Sequence, residues 1–342
     1  MISSMRYGCY KKAVSKLPAK TSVSTCIIAA MTMFASGVPA FGNITFTVAW
    51  DPTITGDPNA ATIQSTINQA LSVYSSFIST SIVVSLKFAE MNIGLGQSST
   101  FYGTTTYSQY RSALVTSATS ADDATALAHL PAGANNPVNN STSIALSTPN
   151  LRALSLGGVL PSGTPDGTIS LNMSIMNLSR GGAQNPAFYD LFAVTQHEVN
   201  EVLGLHSALD GLANGAPSPT TIGSLDLYRY DGSGVRSYTS NVAASAFLSI
   251  DGVHNLVRFN QLQGGDFHDW YSCPTGAAVP SVQDACGTPG TQPNMSVELL
   301  ALDVAGYSLI STPEPASLQL TGLALAGLFV FGRRRLGICT QR

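Results

Sequence analysis

Apolar and polar residues alternate from Ile44 to Trp50 (ITFTVAW), the period of a half-buried strand, and Asp51-Pro52 ends the run. From Ala60 to Ile78 the period lengthens: Ile63, Ile67, Ala70/Leu71, Tyr74 and Phe77/Ile78 recur at helical spacing, with Asn59 as the expected cap. Ser81 to Met91 is rich in β-branched residues and predicts a second strand, and Tyr107 to Ala128 a second helix. Between Leu130 and Pro165 Asn, Ser, Pro and Gly dominate, which predicts loops with one short strand near Ile144 to Leu146. Asp166 to Asn172 alternates again as a strand, and Asn185-Pro186 is expected to open a long helix that ends near Gly204. Beyond it, Ser224 to Gly234, Phe247 to Gly252 and Leu256 to Asn260 predict short strands and turns, before a closing helix over Ser296 to Gly306. No internal repeat is evident. The order of elements predicts an α+β domain with two lobes.

The two ends carry a different pattern. Residues 1–25 are basic without an acid, and Cys26 to Ala35 is an apolar stretch too short for the ~20 residues of a bilayer span. This predicts a signal peptide over 1–40, cleaved after Ala40. At the far end Thr312-Pro313-Glu314-Pro315 precedes LQLTGLALAGLFVFG and then Arg333-Arg334-Arg335. Proline motif, short apolar helix and arginine cluster together resemble the PEP-CTERM sorting signal. That resemblance implies recognition of 312–342 by an exosortase in a Gram-negative cell envelope, with the body displayed at the cell surface or in the extracellular matrix; a permanent membrane anchor is the alternative. The body is then 41–311.

Composition agrees with export. Only 10% of the 342 residues are charged, against a typical ~25%. The formal net charge is −3, but nine of the sixteen basic residues sit in the two ends, so the middle holds seven against all nineteen acids, a net of −12. Such a body is repelled by phosphate backbones and anionic lipid heads, which argues against nucleic acid or a membrane surface as partner. Within the body only Cys273 and Cys286 remain, and in an oxidising compartment they read as a local disulfide.

The chemistry is concentrated in QHEVNEVLGLH. Positions four apart on a helix share a face, so His197 and Glu201 can converge on one metal ion. Glu198 then stands where a general base would take a proton from the water that a zinc ion activates. No G-x-S-x-G elbow, P-loop or Rossmann fingerprint competes with this reading.

The segment Thr195 to Ser207 is similar to the metzincin helix HExxHxxGxxH, with Glu201 in place of its second histidine, Gly204 at its glycine, and His206 one residue short of its third histidine. Together with Leu225 to Tyr230, Ser249 to Gly252 and Gly265 to Trp270, it makes residues 46–307 resemble a PEP-CTERM-associated zinc metalloprotease family with an HExxE variant. The resemblance implies a zincin-like two-lobed fold with a mixed sheet, Zn2+ as cofactor, Glu198 as catalytic base, and a protein or peptide substrate. It makes Asp166 to Asn172 the edge strand that binds extended peptide. His197 and Glu201 are expected as ligands with His206 as the third; Asp226, His254, Asp266, His268 and Asp269 compete for that place. A carboxylate in place of imidazole makes zinc a weaker Lewis acid. The rival readings are therefore a non-catalytic surface or matrix protein on the same scaffold, and a calcium- or glycan-binding module built on Asp266 to Asp269.

Overall fold

The first alternating run forms strand β1 (Thr45–Trp50) in a computed structural model that describes residues 42–213, 220–274 and 276–310. These residues belong to one structural unit. The signal peptide at 1–40 and the sorting tail at 312–342 lie outside the described residues. Asp51 does more than stop the strand: its side chain accepts from the Thr53 N–H and caps a short helix, α1 (Pro52–Thr55). Helix α2 (Ala60–Phe77) follows as the spacing predicts and buries Ile63, Ile67, Ala70, Leu71 and Tyr74 along one stripe. Asn59 occupies its cap position, but its side chain makes no capping bond.

Strands β2 (Val83–Glu90) and β6 (Gly167–Leu171) run parallel to β1, and β3 (Gly96–Thr100) closes the mixed sheet antiparallel, in the order β1-β2-β6-β3. The register carries Trp50 to Phe88, Phe88 to Ile169 and Ile169 to Ser98. The expectation that Asp166 to Asn172 is the edge strand is corrected here: β6 pairs with β2 on one side and β3 on the other, so β3 is the edge. Burial on both flanks explains why the apolar alternation is strong in β6, whereas β3 reads Gly-Gln-Ser-Ser-Thr.

A second correction concerns the helix expected over Tyr107 to Ala128. After β4 (Tyr102–Thr106) the chain forms two helices, α3 (Tyr107–Ser117) and α4 (Ala121–Ala128). Ser120 and Asp123 make a reciprocal capping box at the start of α4, satisfying N–H groups that a continuous helix would have bonded internally. The Asn/Ser-rich stretch supplies β5 (Ser143–Ser147), which pairs with β4, and then α5 (Thr148–Ala153).

The long helix also starts later than its proline suggested. Asn185-Pro186 lies in a turn; Tyr189–Asp190 pairs with Met176–Asn177, and only then does α6 (Leu191–Leu203) begin. Asp190 wins the cap because its carboxylate accepts from the Ala193 N–H while the Arg180 guanidinium holds it at 2.6 Å. Helix α6 packs against α2, β3 and β6, and its core face is Val199, Val202 and Leu203. The Tyr74 hydroxyl donates to the Gln196 carbonyl and to Asn200 Oδ1, which fixes α6 on α2. A short α7 (Leu209–Ala213) follows, then a three-stranded antiparallel sheet of Arg229–Tyr230, Phe247–Leu248 and Val257–Arg258, and the closing α8 (Val297–Val304). The architecture is mixed α+β, and no helix among the described residues is long and apolar enough to cross a membrane.

Helix α8 carries a stability switch. Asp303 is 1% exposed in the last turn, where the helix dipole disfavours a negative charge, and burial pushes its carboxyl up to about 6. Its Oδ2 accepts from the Ser120 hydroxyl. A folded-state value above the unfolded one means the folded chain binds the extra proton, so stability falls as pH rises from about 4 to 6. Asp303→Asn is expected to stabilise the chain at pH 7.5 by about 1 kcal/mol and to leave it unchanged at pH 4. Urea titrations at both pH values check this; equal effects at the two would show that the charge is not responsible.

Candidate metal centre

Helix α6 presents His197, Glu198 and Glu201 to a cleft of about 770 Å³, lined by β3 residues on one side and by the segments around Asp266 to Asp269 and Ser281 to Thr288 on the other. Gly204 ends the helix in the left-handed region, φ 111°, where a side chain would be strained, and its N–H returns to the Asn200 carbonyl. The chain then folds back and brings His206 and Asp210 to the same cleft.

His197 Nε2 lies 3.4 Å from Glu201 Oε1 and 3.4 Å from Asp269 Oδ1. Two ligand atoms on a tetrahedral zinc with bonds near 2.05 Å stand about 3.3 Å apart, so both edges fit such an ion. Each of the three side chains is aimed by an outer partner. His197 Nδ1 donates to the Val282 carbonyl at 3.0 Å, leaving Nε2 for the metal. Glu201 Oε2 accepts from the Ser98 hydroxyl of β3 at 2.6 Å, and Asp269 Oδ1 accepts from Gln283 Nε2 at 2.9 Å. Gln283 is held in turn by Asn200 of α6, so the bonds run from Tyr74 through Asn200 and Gln283 to Asp269 without leaving the core. Such outer partners set ligand orientation and basicity.

His268 stands beside this group. Its Nδ1 faces Asp210 Oδ2 at 2.8 Å and its Nε2 faces Glu201 Oε1 at 3.0 Å. Burial alone would pull both His197 and His268 down, but the surrounding carboxylates outweigh it and hold both well above the usual imidazole value. Glu201 is raised by burial and lowered further by the bonds from His197 and His268, ending below its usual range. Asp269 is pushed up to about 6 by burial. Burial, and then the Glu201 charge, raise Glu198 well above the usual carboxylate range. The metal-free pocket is thus rich in protons that a cation would displace.

Of the residues expected as ligands, His197 and Glu201 come together, joined by Asp269 from among the competitors. His206, placed first as the third ligand, falls instead in a neighbouring group with Asp210 and His268, its ring tilted against Tyr102 with centroids 4.6 Å apart. Burial lowers His206 to about 4, which keeps it neutral. Asp266 is exposed at the rim, within reach of Glu201 and His268. Asp226 is fully buried and accepts from Ser207, Ala208 and Gly223, clamping the loop after α6. His254 is exposed and bound to Asp251, remote from the group. Asp210, Val282 and Gln283 were not singled out in the sequence; only Asp210, four residues after His206, carries a spacing that could have drawn notice.

Two further features shape the site. The expected disulfide joins Cys273 to Cys286 and closes the loop that carries Val282, Gln283 and Asp284. Glu198 reaches across to β3, where a Cβ on Gly96 would collide with its Oε1. Gly96→Ala is therefore expected to displace the Glu198 carboxylate while leaving His197, Glu201 and Asp269 in place. Unchanged zinc content measured beside activity reduced about tenfold or more would bear this out; unchanged activity would mean that Glu198 has room to move.

Comparison with protein-family models, curated proteins and solved structures finds no match to this chain, so the functional reading rests on its own residues.

Proposed function

We propose that the chain is an exported zinc-dependent peptidase on a zincin-like two-lobed scaffold, in keeping with its resemblance to the PEP-CTERM-associated metalloproteases. The observation that carries the reading is the convergence of His197 Nε2, Glu201 Oε1 and Asp269 Oδ1, each with its own outer partner, one side chain away from Glu198. Three protein ligands leave the open position that catalytic zinc requires. Zinc held there supplies Lewis acidity toward the scissile carbonyl and the attacking water. Glu198 takes a proton from that water and delivers it to the leaving amine. His268, bonded to Asp210 through Nδ1 and to Glu201 Oε1 through Nε2, holds that ligand carboxylate in place. The free edge of β3 offers backbone groups to an extended peptide substrate. The leader at 1–40 exports the chain, and the tail at 312–342 delivers it through an exosortase to the cell surface or matrix.

The test is elemental analysis of the purified chain, together with hydrolysis of an unstructured protein substrate. One zinc per chain, lost in His197→Ala and in Glu201→Ala, with hydrolysis abolished by a chelator and restored by zinc, is the expected result. A well-folded chain that takes up no zinc would instead be a non-catalytic matrix protein.

A further inference from the structure

The cleft contains seven carboxylates, and no lysine or arginine is among the residues that line it. Their charges are unequally answered. Arg180 neutralises Asp190 at 2.6 Å, and His268 faces Asp210 at 2.8 Å. On the reading above, a divalent cation takes the charges of Glu201 and Asp269. Three carboxylates remain: Glu198, Asp266 and Asp284.

None of the three forms an ion pair with a lysine or arginine among the described residues. Asp284 is 7% exposed and lines the cleft; its Oδ2 accepts from the Ser281 N–H, its one hydrogen bond among the described residues. Glu198 is 4% exposed and accepts no hydrogen bond at all among the described residues. Buried carboxylates without partners are costly, and a cation that enters the cleft relieves that cost. The positions are also informative. Asp284 lies two residues after Val282, whose carbonyl fixes His197, and lines the cleft with it. Asp266 precedes His268 and lies within reach of it and of Glu201. The chain's own basic groups are engaged elsewhere, as with Lys87 on Asp51, Arg152 on Asp166, and Arg258 over Tyr271.

We propose that the cleft selects cationic peptide segments, with lysine or arginine side chains on both sides of the scissile bond, one received by Asp284 and the other by Asp266. The inference rests on the peptidase reading for the word scissile, but the charge selection stands apart from it. A cleft lined by one sign of charge raises the local concentration of the opposite sign on the order of 10- to 100-fold. Acidic segments are repelled by the same field.

The test uses the zinc-loaded chain and three fluorogenic peptides that differ only in carrying Lys, Ala or Glu on both sides of the same bond. kcat/KM for the Lys peptide is expected to exceed that for Ala by about tenfold or more, and that for Glu by a larger factor. The preference shrinks as salt is added. It falls by roughly fivefold in Asp266→Asn and in Asp284→Asn, but not in Asp122→Asn, which removes a charge far from the cleft in sequence and fold. Equal cleavage of the Lys and Ala peptides overturns the inference and leaves the peptidase reading intact. If no peptide is cut, binding of the labelled Lys and Glu peptides to Glu198→Gln decides separately. Tighter binding of Lys, weakened by the two Asp→Asn changes, upholds the acidic, cation-selecting cleft and sinks the peptidase; equal binding overturns the charge selection.

Discussion

Asp269→Ala releases zinc and His268→Ala retains it: this pair of outcomes is the one expected if the metal is held by His197, Glu201 and Asp269. Both side chains reach Glu201 or His197 at distances that a ligand could adopt, so distance alone does not rank them. Their other bonds do. Asp269 Oδ1 takes a neutral amide N–H from Gln283, which leaves its charge for a cation. His268 is already bonded at both nitrogens, to Asp210 and to Glu201. Loss of a ligand carboxylate should weaken zinc binding by more than about 100-fold, because loss of an outer partner alone costs 10- to 100-fold. Gln283→Ala should fall within that smaller range. Competition against a chromophoric chelator reads all three variants. Zinc loss in His268→Ala with retention in Asp269→Ala would exchange the two roles. The pH dependence has a definite sign: zinc must displace protons from Asp269 and His197, so affinity falls as pH drops, most steeply below about 6, where Asp269 takes up its proton.

The helix half of this site was legible in the sequence for a simple reason. Ligands at i and i+4 and a base at i+1 are a local pattern, and Gly204 marks the place where the helix must turn. The other half comes from residues some seventy positions away, in a polar turn whose Asp and His could equally have served a loop. Asp269 was in view there as one of five competitors, and nothing in its neighbourhood raised it above His206. Its selection depends on Trp270, buried with its indole N–H on Glu298, which pins the turn against the core. The edge strand was illegible for a different reason. A strand paired on one side only needs no apolar alternation, and Gly96 is there to leave room for Glu198, a requirement visible only once the helix lies across it. The early start assigned to α6 shows how a proline can mislead: Pro186 is compatible with a first turn, but Asp190 has both the cap geometry and the Arg180 partner.

Glu198→Gln should abolish hydrolysis and keep the metal. The amide fills the same space beside Gly96 and leaves the ligand group untouched, but it has no lone pair basic enough to accept the proton of the attacking water. Loss of a positioned general base costs 10²- to 10⁴-fold, so kcat is expected to fall by about 1,000-fold with KM nearly unchanged. The pH profile supplies a second reading that a purely structural role would not move. Glu198 must be ionised to act, and burial raises its value, so kcat/KM should rise with pH through a point above the ordinary carboxylate range. That acidic limb should disappear from the residual activity of the Gln variant. An unchanged limb would assign it to another group in the cleft, with Asp266 and Asp284 next in line, since both are raised by burial and both face the substrate. Full activity in Glu198→Gln would remove the base altogether and, with it, the reason for its unbonded, nearly buried carboxylate to face β3.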